Sequence, residues 1–197
     1  MITNARSRKR IARHIDNLNS PDHDARCRAE RYLLRFYVLR AADQLLEVVD
    51  HTNPYVRLYA AWVLAHTHDP RAFEPILRLC DDPDERVRYD ATVALGILDD
   101  PRAIEPLKAI LIKYDETRPA GDAFYRIGPK TVPALVDVLR EGSTEARWCA
   151  VQVMGNFAQE YGDQRCIEML REAMSDSDIT VRENADYWLD EIRVANP

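Results

Sequence analysis

The sequence predicts an all-α solenoid of about six antiparallel helix pairs, on three grounds. One stretch is written twice: Asp69, Pro70, Arg71, Ala72, Phe73, Glu74, Pro75 and Ile76 return 31 positions later (69 to 100) as Asp100, Pro101, Arg102, Ala103, Ile104, Glu105, Pro106 and Leu107. The same offset carries Val56, Arg57, Ala60 and Leu64 onto Val87, Arg88, Ala91 and Leu95. Self-similarity at a period of roughly 20–50 residues marks an array in which each unit buries its apolar face only against its neighbours. A second ground is periodicity: Val87, Ala91, Ala94, Leu95 and Leu98 share one stripe at about 100° per residue, the period of a helix. Finally, 6 glycines in 197 residues leave little for the tight turns of a sheet-rich fold.

The elements follow in order from that register. The first pair (4–37) comprises helices over 4–18 and 22–37, with Ala25 and Arg26 on the Val56–Arg57 positions and Ala29 and Leu33 on the core positions. The second (40–67) comprises 40–50 and 53–67, with Pro54 in a first turn, where no N–H is required. The third (70–98) comprises 70–81 and 84–98; Asp69 is an expected N-cap, Pro70 an N1 residue, and Pro83 plays the part of Pro54. The fourth (101–127) opens alike on Asp100 and Pro101, but Glu116 and Thr117 stand where Val-Arg is expected. Arg118, Pro119, Ala120 and Gly121 follow, so its second helix, 118–127, must be short; it is either a pocket floor or a tolerated irregularity. The fifth pair (129–160) comprises 129–140 and 143–160, with Ala146, Arg147, Ala150 and Met154 back in register. The sixth (163–193) comprises 163–175 and 178–193, with Val181, Arg182, Ala185 and Leu189. No linker interrupts the series, so residues 1–197 read as one repeat domain. Pro75 and Pro106, five residues past the N1 prolines, should each cost a hydrogen bond and bend their helix.

Composition narrows the function classes. No apolar run approaches the roughly 18 residues a membrane span needs, and no apolar segment follows the charged N-terminus as in a secretory signal. Cys27, Cys80, Cys149 and Cys166 show no CxxC spacing and read as reduced cysteines of a cytoplasmic protein. The net charge of −6 is uneven: residues 1–40 hold ten Arg or Lys and four Asp or Glu, a net +6, which leaves −12 for the rest. A basic tip on an acidic chain is a poor generic nucleic-acid binder; it reads as solvated helix faces or as a docking tip for a partner with an acidic patch. His66, His68 and Asp69 lie at a turn without an obvious third metal ligand, so no metal is expected. No phosphate loop, Gly-x-Ser-x-Gly or Cys-His nucleophile arrangement is present.

The string Val-Arg-Tyr-Asp-Ala-Thr-Val-Ala-Leu-Gly at 87–96, followed by Asp-Pro-Arg-Ala-Ile-Glu-Pro-Leu at 100–107, resembles the HEAT-like repeat of the phycobilin lyase type. Arg126, Ile127, Gly128, Pro129, Lys130, Thr131, Val132, Pro133, Ala134 and Leu135 resemble it as well. The resemblance implies that second helices line a concave surface and that the arginine of Val-Arg pairs with a neighbouring repeat's Asp. Arg26, Arg57, Arg88, Arg147 and Arg182 are then structural. Such repeats occur in lyases, chaperones and scaffolds. No His is followed by Glu, so the iron-dependent hydroxylase built on such repeats, deoxyhypusine hydroxylase, is not supported.

Opposite the core stripe stand positions 89, 93 and 96. Across repeats these columns read Cys27, Leu58, Tyr89, Trp148 and Glu183, then Arg31, Trp62, Val93, Gln152 and Tyr187. Leu58, Trp62, Tyr89, Val93 and Trp148, with Gln152, form the expected partner-binding strip. Arg31 and Arg35 flank one end; Glu183, Asp186 and Asp190 flank the other. Large aromatics away from a helix's own core suit a binding hot spot, although Trp62 and Trp148 could equally pack on adjacent repeats. The expected function is a non-catalytic protein-binding scaffold or adaptor without cofactor or membrane contact. The alternative, implied by the resemblance, is a subunit of a bilin lyase or chromophore chaperone acting on phycobiliproteins as a heterodimer. There the groove would grip a tetrapyrrole, with Arg31 or Arg35 on its propionates.

Overall fold

The computed structural model describes residues 5–114 and 117–195, and these form an all-α chain with no strand among them. Its helices are α1 (Ala5–Leu18), α2 (His23–Tyr37), α3 (Ala42–Leu46), α4 (Pro54–Ala65), α5 (Phe73–Leu79), α6 (Glu85–Leu98), α7 (Ile104–Tyr114), α8 (Thr117–Ile127), α9 (Val132–Glu141), α10 (Thr144–Tyr161), α11 (Gln164–Ala173) and α12 (Ile179–Ala195). Among the described residues no helix is long and apolar enough to cross a membrane.

Local chemistry sets the starts. Asp22, Asn53 and Asp84 each accept the N–H two residues on, at 3.0, 2.9 and 2.9 Å, capping α2, α4 and α6. Asp163 and Asp178 do the same for α11 and α12, while the Ser143 hydroxyl accepts the N–H of Ala146, three residues on, to cap α10. Each cap satisfies a backbone donor that the first helical turn leaves free. Pro54 occupies the first helical residue of α4 as expected, whereas Pro83 lies ahead of the Asp84 cap and outside α6. Asp69 caps a 3-10 turn, Pro70–Ala72, and a second such turn spans Pro101–Ala103. The α-helices therefore begin at Phe73 and Ile104, which puts Pro75 and Pro106 in the first α-helical turn. No intrahelical bond is lost there, contrary to the bend expected from spacing alone.

Two further boundaries depart from expectation. The first helix of the second pair is only the 5 residues of α3 instead of 40–50. Val38–Arg40 form a 3-10 turn, and Ala41 brings no capping side chain to the helix that follows. In the fourth pair α8 has 11 residues against 14 in α6, a short second helix as expected; Glu116 lies outside the described residues.

The chain falls into two compact units, Met1–Asp100 and Pro101–Pro197. In the first, α4 packs against α2 and α6, with α1, α3 and α5 beneath; in the second, α10 packs against α8 and α12, with α9 and α11 beneath. The repeat positions form the cores. Ala29, Ala60 and Ala91, with Leu33, Leu64 and Leu95, are buried in the first unit, and Ala150, Ala185, Met154 and Leu189 in the second. Small residues let neighbouring helices approach, and each buried leucine contributes about 1.5–3 kcal/mol.

The repeated arginines fasten the turn ahead of their own helix, and Arg57 and Arg147 also bridge to the next pair. Each sends Nη1 to carbonyls of the turn ahead of its own helix: Arg26 to Ser20, Arg57 to His51, Arg88 to Asp82, Arg147 to Gly142 and Arg182 to Asp176, at 2.7–3.0 Å. Arg57 also makes a two-pronged pair with Asp82, both prongs at 2.7 Å, and Arg147 one with Asp176 at 2.8 and 2.9 Å. Asp82 and Asp176 thus hold one arginine by the carboxylate and the next, Arg88 or Arg182, by the carbonyl. They also accept the N–H of Asp84 and Asp178, fixing the caps. The ion pair and its hydrogen bonds hold the Asp176 carboxyl below its usual range and raise the Arg57 and Arg147 guanidinium values.

Candidate functional site

In the second unit α8 and α10 lie side by side around a cleft of about 540 Å³. Sequence explains the close approach at its floor. A Cβ on Gly121 would stand 2.8 Å from Cys149 Sγ, and that thiol donates to the Thr117 carbonyl at 3.2 Å. Burial, with the charge of Asp122, pushes the Cys149 thiol up to about 12, so it is a packing group and not a nucleophile.

The rim is aromatic and polar. Trp148 and Tyr125 line the cleft, each 42% exposed. The Tyr125 ring stacks on Phe157 (centroids 6.1 Å apart, 15° between planes) and its hydroxyl donates to Glu160 at 2.6 Å. Gln152 is oriented from behind: Trp188 Nε1 donates to its Oε1 at 3.3 Å. Asn156 Nδ2 donates to the Gln152 carbonyl at 2.8 Å, leaving its side-chain oxygen as an acceptor beside the cleft. Arg118 and Asp122, one turn apart on α8, are exposed, and among the described residues neither joins an ion pair. From Trp148 to Asn156 the wall runs about 12 Å at 1.5 Å per residue.

Of the residues expected on the strip, Trp148 and Gln152 line this cleft. In the first unit Leu58, Trp62 and Tyr89 are half-buried, and the Trp62 ring lies 5.4 Å from that of His66. Val93 is 6% exposed and belongs to the interior, so it offers a partner almost nothing. Arg31 is exposed and reaches back to the Cys27 carbonyl at 3.4 Å; Arg35 lies 5.4 Å over the Phe36 ring. His66 Nδ1 meets the Trp62 carbonyl at 2.8 Å and His68 Nδ1 the Leu98 carbonyl at 3.3 Å, so both histidines serve the turn. Among the described residues no three His, Cys, Asp or Glu side chains are grouped to hold a metal. Sequence reasoning missed Arg118, Asp122 and Tyr125. They occupy columns 89, 93 and 96 of the fourth pair, which the broken Val-Arg signature concealed.

Residues 42–122 match the family model for HEAT repeats. Among solved structures, the chain is similar to the complex of CpcE and CpcF of phycocyanin lyase from Nostoc sp. PCC7120. The identity is 21%, over 89% of this chain and 74% of that one, with a TM-score of 0.55. A designed armadillo repeat protein is 19% identical over 92% of this chain and 99% of its own, at a TM-score of 0.49. At 21% identity the likeness to the lyase complex speaks for fold alone, an all-α array of helix pairs, as the sequence predicts. No curated protein sequence matches the chain.

Proposed function

We propose that this chain is a non-catalytic binding module that holds a segment of a partner protein in the cleft between α8 and α10. One observation carries the reading: Trp148 and Tyr125, two large aromatics, stand 42% exposed on a cleft whose polar groups include Arg118, Asp122, Asn156 and the Gln152 amide. Exposed aromatics with unspent hydrogen-bonding groups around them are the usual anchors of protein recognition. A partner would place apolar side chains between the two rings, a carboxylate toward Arg118 and a donor toward Asp122.

The test compares the wild-type chain with a Trp148→Ala, Tyr125→Ala variant as bait in extract of the native host, by quantitative mass spectrometry. The expected result is one dominant protein captured by the wild type and lost from a folded variant. Equal capture by both would remove the cleft from the reading.

A second reading, a subunit of a bilin lyase or chromophore chaperone, is supported by likeness to the fold of the phycocyanin lyase complex. It is also supported by Arg118, a cation suited to a propionate, on the same cleft as Trp148. An absorbance scan of the same eluate separates the two, because a bound tetrapyrrole is coloured and a peptide is not.

A further inference from the structure

The first helix pair carries a surface unlike the rest of the chain. On α1, Arg6, Arg8, Lys9, Arg10 and Arg13 are all exposed, and Arg35 on α2 and Arg40 in the following turn are exposed as well. Among the described residues none of these cations joins an ion pair. On the same stretch as Arg35 and Arg40 stand Phe36 and Leu39, 55% and 79% exposed. Phe36 is braced in that position: its ring lies 4.7 Å from Tyr32, which stacks at 4.0 Å on the buried His14. Scattered surface apolars need no explanation, but an adjacent pair set among unpaired arginines has the composition of an interface.

Helix α12 presents the converse. Val181, Ala185, Trp188, Leu189 and Ile192 bury one face. Glu183, Asp186, Tyr187, Asp190, Glu191 and Val194 form the exposed stripe, at steps of three and four residues. Tyr187 is 56% and Val194 80% exposed, so this stripe is a mostly acidic face that carries two apolar side chains two turns apart, with Asp190 paired at 3.2 Å to the neighbouring Arg193.

We infer that the basic edge of one copy docks on the acidic stripe of α12 of a second copy. Phe36 and Leu39 meet Tyr187 and Val194, while Arg35, Arg40 and the cations of α1 face the carboxylates. Exposed ion pairs contribute little by themselves. The apolar side chains therefore set the affinity, and the charges set register and choice of partner. Two different surfaces meet, so the contact is heterologous: each added copy leaves one free edge and one free stripe, and assembly grows with concentration. A nucleic acid would neutralise the arginines yet leave Leu39 uncovered, whereas the α12 stripe supplies both kinds of group.

Sedimentation velocity of the full chain over a wide concentration range tests this. The expected result is a mean mass that climbs with concentration and drops only modestly at high salt, where the charge pairs are screened but the apolar contacts are not. Two doubly truncated variants sharpen it, Arg35→Ala with Leu39→Ala and Tyr187→Ala with Asp190→Ala, each checked for unchanged helicity by circular dichroism. Each alone should lose self-association by about tenfold or more, as on truncating interface anchors. Mixed together they should form a one-to-one dimer that grows no further, because one intact edge and one intact stripe remain. A monomer at every concentration overturns the inference, as does assembly indifferent to both variants or a mixture that stays monomeric. A monomer that binds phosphatidylserine vesicles or single-stranded DNA through Arg35 and Leu39 also overturns it, giving the edge another occupant.

Discussion

The Trp188 indole fills the space that a side chain at Gly155 would need: a Cβ there would fall within contact distance of three ring atoms. The obstacle is a buried aromatic ring, not the free end of a flexible chain. The same indole donates to Gln152 on the wall of the cleft. Gly155 thus seats Trp188, and Trp188 aims Gln152. In an exposed helix, replacing glycine by alanine gains up to about 1 kcal/mol. Here Gly155→Ala should instead destabilise by about 1–3 kcal/mol through overpacking. Urea unfolding followed by circular dichroism measures it, and a midpoint equal to or above wild type would show that the ring can move aside freely.

Asp82 should be among the least replaceable charged residues. It is buried, pairs twice with Arg57, accepts from Arg88 through its carbonyl and fixes the Asp84 cap. Removing one partner of a buried pair leaves the other charge uncompensated, so Asp82→Ala should cost on the order of 3 kcal/mol. The exposed Arg71–Asp69 pair has equally good geometry, yet Arg71→Ala should move the unfolding midpoint little, because solvent screens it. Thermal melts of the two variants side by side decide the matter; comparable losses would contradict the ranking by burial.

What could be read in the residues depended on how each signal is encoded. Asp-Pro punctuation and the Val-Arg-x-x-Ala-x-x-x-Leu stripe are local, so α6 and α10 fall close to the expected spans, and α5 follows the turn that Asp69 and Pro70 open. The second pair opens without such punctuation, and there α3 contracts to Ala42–Leu46. Trp148 and Gln152 were legible as column members. Their orientation was not, because it rests on Trp188 reaching across from α12 and on Gly121 admitting Cys149, both contacts between helices. Val93 shares a column with Trp62 and Gln152 but is buried, since periodicity places a residue on a face without saying what covers it.

His14 should make stability fall in mild acid. It is buried against Tyr32, neither ring nitrogen has a hydrogen-bond partner, and burial followed by the charge of Arg13 lowers its pKa below 6.5. The folded state therefore favours the neutral ring, and the unfolded chain takes up a proton first as pH falls. The stability that His14 lends is complete above the unfolded value of about 6.5 and is lost as pH drops through it toward the lower folded value. His14→Phe keeps the stacked ring and removes the titration, so its melting temperature should fall less than that of wild type between neutral pH and about pH 5.5. Parallel pH profiles for the two proteins would show that His14 is not the group responsible.

Where the arginine ladder lacks a rung, adding one should help. Arg57 finds Asp82, six residues ahead of Arg88, and Arg147 finds Asp176, six ahead of Arg182. For Arg26 the equivalent residue, six ahead of Arg57, is His51, whose Nδ1 accepts the Asn53 N–H much as Asp82 accepts that of Asp84. Arg26 instead lies with its guanidinium carbon 3.8 Å over the Tyr55 ring, and its buried Nε–H has no acceptor. An unmet buried donor costs roughly 1–3 kcal/mol. His51→Asp would place a carboxylate at the register position that serves Arg57 and Arg147, while retaining an acceptor for the Asn53 N–H. The expected outcome is a melting temperature higher by a few degrees, at about 2–4 °C per kcal/mol for a chain of this size. That gain should vanish in an Arg26→Ala background, where the new carboxylate has no partner. An increase that survives loss of Arg26 would assign the effect to the turn rather than to the ladder.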